Sequence, residues 1–286
     1  MEPIKALFER VQPAEPRLPA ALRNLYGGDL HFPAPSGSRP YVIGNFVSTL
    51  DGVVSYRLPG HSGGEAISGS DDGDRFIMGL LRASVDAVIV GSRTVHEVSP
   101  KHLWIPEFVY PRCKESYSDY RLNELHKPEH PLVVIVTGSG KLDLGRAIFR
   151  APDVRTLIIT SAAGANELAN RGVAKLGSVE VSTIAEAGSS IEPGAMLRLL
   201  FSKFGVRVLL HEGGPTLFGA FLAAALEDEL FITMAPQIAG RAPSTSRPGL
   251  VEGVEFLPGM APWFQLLTVK RHAENLYLRY RAQPKP

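Results

Sequence analysis

The residues best equipped for chemistry lie in three short segments, each an apolar run that ends in glycine or a turn. The first is Leu209-Leu210-His211-Glu212-Gly213-Gly214-Pro215-Thr216-Leu217. An apolar strand runs into two glycines, and Pro215 then opens a helix. Glycines let a phosphate approach the backbone, and the free N–H groups of a helix N-terminus favour an anion. The second is Val88-Ile89-Val90-Gly91-Ser92-Arg93-Thr94-Val95, where Arg93 offers a cation and Thr94 a hydroxyl to a phosphate. The third is Asn45-Phe46-Val47-Ser48-Thr49-Leu50-Asp51-Gly52, which puts the Asp51 carboxylate at a strand end. Arg82, on an otherwise apolar helix, is either a snorkelling side chain or a phosphate clamp. Taken singly, the three segments also read as a tight turn, a helix start capped by Thr94, and an Asp-Gly turn. Together they place three loops at the carboxyl ends of strands, where open α/β sheets bind ligands.

The elements that must hold these loops follow from periodicity. Residues 87–90, 132–136, 155–160 and 206–210 are continuous apolar runs of the buried parallel-strand type. Residues 41–48, 179–182 and 230–235 add further strands. Residues 74–84, 165–171, 193–204 and 217–226 carry helical spacing, with Pro193 at a first turn and Gly205 at a C-cap. Residues 264–270 and 275–280 alternate around a short turn and predict a terminal antiparallel hairpin. This pattern predicts an α/β fold, a mostly parallel mixed sheet between helical layers, closed by antiparallel edge strands.

Residues 1–39 form a proline-rich arm, read as a strap with short helices at 4–10 and 20–26; residues 40–286 form the body. Residues 92–130 show little periodicity and read as a long connection of the kind that builds binding sites.

Composition narrows the classes. With 286 residues, 44% hydrophobic, 21% charged and net charge +1, the chain has no general pull toward nucleic acid or an anionic membrane. No membrane span or signal peptide is expected. The single cysteine, Cys113, cannot pair internally and fits a reducing, cytoplasmic compartment. No metal site is expected, because the eight histidines lack ligand spacing. There is no G-x-G-x-x-G after the first strand, no G-x-x-x-x-G-K-[ST] loop and no G-x-S-x-G.

Four blocks resemble the RibD C-terminal reductases, a branch of the dihydrofolate-reductase-like fold: RPYVIGNFVSTLDG (39–52), LLRASVDAVIVGSRTV (80–95), LLHEGGPTLFGAFLAAALEDELFITMAPQIAG (209–240) and WFQLLTVKRHAENLYLRY (263–280). The resemblance implies NADPH-dependent reduction of a ribosylaminopyrimidine 5′-phosphate to its ribityl form in riboflavin synthesis, by a homodimer. It implies that Val47, Gly91, Thr94, Gly213, Gly214, Pro215, Thr216 and Leu217 contact the cofactor, with 137–139 at its adenosine end and Arg93 a guess for its 2′-phosphate. It places Asn45, Asp51, Arg82 and Glu212 on the substrate side, with Arg82 as the phosphate contact and Asp51 as the nearest titratable candidate for proton transfer; bound water would serve equally. Two departures stand out. The Asp-Pro-x-Leu-Thr-x-Arg run expected after the Thr-Val motif is replaced by His96-Glu97-Val98-Ser99-Pro100-Lys101-His102-Leu103-Trp104, and no zinc deaminase motif is present. Two alternatives therefore stay open: a dihydrofolate-reducing or other imine/carbonyl reductase on the same fold, and a non-catalytic nucleotide-binding protein.

Overall fold

The computed structural model describes residues 1–10, 17–58, 61, 63–184, 186, 187 and 190–283. Residues 11–16, with Pro13 and Pro16 of the arm, and 59, 60, 62, 185, 188, 189 and 284–286 lie outside the described residues.

β-Branched apolar runs bury both faces of a strand, so they collect in the middle of a sheet. The chain runs β1 (Lys5–Glu9), α1 (Ala20–Tyr26), β2 (Tyr41–Ser48), α2 (Glu65–Ser68), α3 (Asp72–Ser84), β3 (Ala87–Gly91), α4 (Ser92–Glu97), α5 (Pro106–Val109) and α6 (Lys114–Asp119). It continues with β4 (Leu132–Thr137), β5 (Thr156–Thr160), α7 (Ala162–Asn170), β6 (Val179–Thr183), a two-stranded ribbon of β7 (Glu186–Ala187) and β8 (Ser190–Ile191), and α8 (Pro193–Phe204). It ends with β9 (Val208–His211), α9 (Pro215–Ala223), β10 (Glu229–Met234), β11 (Phe264–His272) and β12 (Asn275–Ala282). The main sheet has the order β1-β11-β12-β10-β2-β9-β3-β4-β5-β6. From β10 to β6 all neighbours are parallel; β12, β11 and β1 are added antiparallel.

Alternation along each strand feeds two cores. Val88 and Val90 pack with Phe76, Leu80 and Leu81 of α3 on one face. Ala87 and Ile89 pack with Met196, Leu197 and Leu200 of α8 and with Phe221 of α9 on the other. The expected α/β architecture and terminal hairpin are both present. The start of α3 is fixed by Asp71, whose carboxylate accepts from the Asp74 N–H at 2.9 Å. Gly205 ends α8 in the left-handed conformation, as its C-cap position requires.

Two expectations change. Residues 4–10, expected as a helix, form β1 on the open edge of β11. The free hydrogen-bonding groups of that edge outweigh a weak helical preference in a five-residue stretch. The arm is thereby part of the body: Ile4, Leu18, Leu22, Tyr26 and Leu30 are buried in the main core. Residues 92–130 are not a structureless connection but a series of short helical turns that bury Trp104, Ile105, Tyr110, Tyr117 and Tyr120. Helices of four to six residues are too short to display a 3.6-residue period, which is why the pattern was silent. Among the described residues no helix is long and apolar enough to cross a membrane.

Candidate active site

The parallel strands deliver their carboxyl ends to one edge of the sheet. β2 ends at Ser48, β3 at Gly91, β9 at His211 and β10 at Met234. The Glu212 N–H donates to the Ile89 carbonyl at 3.0 Å, which ties the second of these ends to the third. The first loop continues through Thr49, whose hydroxyl donates to Asp51 at 2.6 Å.

The glycines explain the loop shapes. A Cβ on Gly213 would lie 2.7 Å from Leu217 Cδ2 and 2.8 Å from His211 Nε2, so only glycine fits between the strand end and the helix. A Cβ on Gly214 would sit 3.2 Å from Thr94 Oγ1, so the second and third loops adjoin at this point. Gly91 and Gly138 face open space at the ends of the adjacent strands β3 and β4. Helix α9 begins at Pro215 with no side-chain cap, leaving its first N–H groups to an outside acceptor. Two bare glycines, an uncapped helix start and a threonine hydroxyl together fit the phosphates of a dinucleotide. Thr94 itself lies inside α4 and caps nothing. Arg93 is exposed and Thr216 stands on the outer face of the first turn of α9. In the 137–139 loop, the Thr137 hydroxyl accepts from the Gly140 N–H at 3.1 Å.

Asn45 and Val47 share one face of β2, two residues apart. Val47 is buried under α2: a Cβ on Gly64 would lie 2.7 Å from its Cγ1, and Ile67 packs beside it.

Two substrate-side expectations require correction. Arg82 is 1% exposed and does not reach the surface. Its Nε and one terminal nitrogen donate to the two Glu212 oxygens at 3.1 and 2.7 Å, and its other nitrogen donates to the carbonyls of Leu103 and Ile105. Its guanidinium is saturated inside the protein, so it braces Glu212 instead of gripping a substrate phosphate. The departing 96–104 segment contributes to this brace, with His102 at 3.5 Å from Arg82, tilted against the Trp104 ring and edge-on to Phe108. Burial and the neighbouring Arg82 charge push the His102 imidazole down to about 3.

Asp51 is the second correction. Its carboxylate accepts from the Thr49 hydroxyl and from the Ala239 and Gly240 N–H groups at 2.6 to 3.0 Å. Those bonds, the Thr49 one foremost, hold it down at about 2. A carboxylate so firmly ionised carries no proton to donate near neutral pH. It also pins the 239–240 turn over the first loop.

Several polar and charged groups beside these loops gave no sequence signal. His211 and Glu227 form a fully buried hydrogen-bonded pair directly beneath the Gly213 turn, ringed by Phe46, Phe218 and Phe221. Burial pushes the Glu227 carboxyl up. The two residues are far apart in sequence and only the fold joins them. Arg241 donates to the Asp51 and Gly52 carbonyls at 3.1 and 3.2 Å, Arg247 to the Gly240 carbonyl at 3.1 Å, and Arg57 to the Ser246 hydroxyl, next to Arg247 in the chain, at 2.6 Å. Their spacing follows no motif.

A mostly parallel sheet with glycine turns at the carboxyl ends of its strands, closed on one side by antiparallel strands, defines an α/β protein that can take a ligand at those ends. Comparison with known proteins agrees. Residues 40–274 match the RibD C-terminal domain, and the chain belongs to that family. It is 31% identical over 219 residues to the 2,5-diamino-6-ribosylamino-4(3H)-pyrimidinone 5′-phosphate reductase of Archaeoglobus fulgidus, covering 77% of this chain and 89% of that protein. Among solved structures it resembles Acinetobacter baumannii RibD, with TM-score 0.62 at 24% identity over 87% of this chain; the chain spans 59% of that protein. It also resembles the Saccharomyces cerevisiae riboflavin biosynthesis reductase Rib7, with TM-score 0.58 at 15% identity over 87% of this chain and 92% of that one. The last two likenesses are likenesses of fold.

Proposed function

We propose that this protein reduces the ribosyl group of a ribosylaminopyrimidine 5′-phosphate to a ribityl chain, with NADPH as reductant, as a step of riboflavin biosynthesis. The observation that carries this reading is the convergence of the 45–52, 88–95 and 209–217 loops on one sheet edge, in a chain 31% identical to a reductase of that substrate class.

NADPH, when bound, supplies a hydride to the substrate carbon; positioning and electrostatics are left to the protein. The glycine turn of Gly213 and Gly214, with Pro215, Thr216 and Leu217 at the start of α9, receives the phosphates, aided by Gly91 and Thr94. Arg93 is exposed beside this cradle and is assigned to the 2′-phosphate. Val47 lies under the nicotinamide end. Asn45 and Glu212 face the pyrimidine, with Glu212 held in one orientation by Arg82. With Arg82 sealed inside, the cationic rim of Arg57, Arg241 and Arg247 is the place for the substrate phosphate. The same reading includes a cytoplasmic homodimer, which light scattering checks by mass.

The test is NADPH oxidation followed at 340 nm with the diaminopyrimidinone and the deaminated ribosylaminopyrimidine phosphates, with dihydrofolate in parallel. Turnover of either pyrimidine supports the reading. Turnover of dihydrofolate alone moves the chain to another reductase. Binding of NADPH without any turnover makes it a nucleotide-binding protein.

A further inference from the structure

The carboxyl end of β10 leads to a side chain that its neighbours use from three sides. Gln237 follows the Ala235-Pro236 step, three residues beyond Met234, where β10 ends. Its N–H donates to the Ala235 carbonyl at 2.8 Å, and its carbonyl accepts from the Leu50 N–H at 2.9 Å. Its backbone is thereby tied to the loop that carries Asp51. Its side chain is bonded to α2 and to Tyr56. The amide nitrogen donates to the Ala66 carbonyl at 3.2 Å and to the Ile67 carbonyl. The amide oxygen accepts from the Tyr56 hydroxyl at 2.7 Å.

Helix α2 needs such a partner. Four residues are too few to hold a helical turn by themselves. The Gly69 N–H closes the turn on the Glu65 carbonyl, and the next two carbonyls, of Ala66 and Ile67, are the ones that take the Gln237 amide. What α2 covers is Val47. Gly64 lets it come close, since a Cβ there would lie 2.7 Å from Val47 Cγ1. Ile67 and Ala235 complete a small buried cluster with Val47, and Tyr56 packs against that cluster. On its other side Tyr56 faces the substrate loops. The Arg247 guanidinium lies 5.0 Å from the Tyr56 ring and donates to the Gly240 carbonyl at 3.1 Å. The Gly240 N–H is in turn held by Asp51 at 2.8 Å. One side-chain amide therefore joins the cover of Val47 to the turn beside the arginine rim.

We propose that Gln237 is a positioning residue of this site: with Tyr56 it holds α2 against Val47 and so fixes the surface on which the nicotinamide rests. The inference rests on the reductase reading given above and deepens it. Gln237 acts through α2 and Val47, and not on the reacting atoms. Hydride transfer depends steeply on the approach of donor and acceptor carbons, so a small displacement of that surface costs rate. The dinucleotide phosphates are held apart from it, at the Gly213 turn. Rate and cofactor affinity should therefore respond separately when Gln237 is changed.

Gln237→Leu keeps most of the bulk and removes both polar ends. It is expected to lower kcat about 10- to 100-fold, with NADPH affinity by fluorescence within about twofold of the parent. The primary isotope effect on kcat, with NADPH deuterated at the transferred position, should rise as hydride transfer becomes the slow step. Hydrogen exchange should quicken in residues 63–70 and stay as in the parent around the Gly213 turn. Tyr56→Phe keeps the ring and removes the hydroxyl, and should shift kcat and the isotope effect the same way by less. Because the two side chains act as a unit, adding Tyr56→Phe to Gln237→Leu should cost little more. A Gln237→Leu enzyme with the parent kcat and isotope effect overturns the inference. A loss shared evenly by Tm, NADPH affinity and kcat marks a merely structural residue and overturns it too. If Gln237→Leu fails to fold, Tyr56→Phe decides, and parent values of kcat and isotope effect there overturn it. If the unsubstituted enzyme turns over no pyrimidine, the reductase reading itself fails, and the inference with it, before any variant is compared.

Discussion

Arg82 and Glu212 form a two-pronged ion pair, 1% and 8% exposed, that joins the last turn of α3 to the loop after β9. It is the contact through which a packing helix fixes the orientation of a carboxylate at the sheet edge. A buried pair contributes little beyond what apolar residues would, but losing one partner strands a charge in the interior. Arg82→Met is expected to cost about 3–5 kcal/mol in urea unfolding, and Arg82→Lys nearly as much because an ammonium lacks the planar fork. Arg82→Met combined with Glu212→Gln should recover part of that loss. If Arg82→Met alone unfolds at the same urea concentration as the parent, the pair is not the brace described.

The glycine turn ranks two substitutions. Gly213→Ala drives a Cβ against Leu217 and the buried His211 ring, whereas Gly214→Ala meets only the Thr94 hydroxyl at 3.2 Å. Gly213→Ala should weaken NADPH binding by tenfold or more, about 1.4 kcal/mol, and Gly214→Ala by less. Adding Thr94→Ala to Gly214→Ala should relieve the packing conflict. Fluorescence titration of NADPH checks the order; equal losses at both positions would contradict the turn geometry.

The arm should be indispensable. Removing residues 1–39 takes five buried apolar side chains out of the core and uncovers the edge of β11. Each such side chain is worth roughly 1.5–3 kcal/mol of burial, and a bare edge strand invites aggregation. Truncated protein is expected in the insoluble fraction or with a greatly lowered Tm. A soluble truncation with the parent Tm would return the arm to the status of a tail.

His102 gives a pH dependence. Its imidazole is pushed below its ordinary value, so the folded protein holds it neutral while the unfolded chain protonates. Its contribution is greatest above about 6.5 and is lost as pH falls toward about 3. His102→Asn should flatten the acid side of the Tm–pH curve over that interval, without moving Tm at pH 8 by more than the change in packing requires. An unchanged acid limb would show that His102 is protonated in the folded state.

The parallel strands, the two long helices α3 and α8 and the closing hairpin were legible because buried strands and amphipathic helices write their environment into every second or fourth residue. The loops at 45–52, 88–95 and 209–217 were legible because glycine and proline mark where a backbone must turn. β1 was not, since an edge strand takes its structure from β11 and not from its own residues. Arg82 and Asp51 stand out in the sequence, but their partners are invisible there. An arginine on an apolar helix looks the same whether it ends on a phosphate or on Glu212, 130 residues away.

The most direct measurement is the fate of the sugar. The protein is incubated with NADPH deuterated at the transferred position and the diaminopyrimidinone ribosylamine phosphate, and the product is read by mass spectrometry and NMR. The account predicts a ribityl product carrying one deuterium at C1 of the former sugar. An unlabelled sugar recovered intact, with NADPH bound and unconsumed, would contradict it.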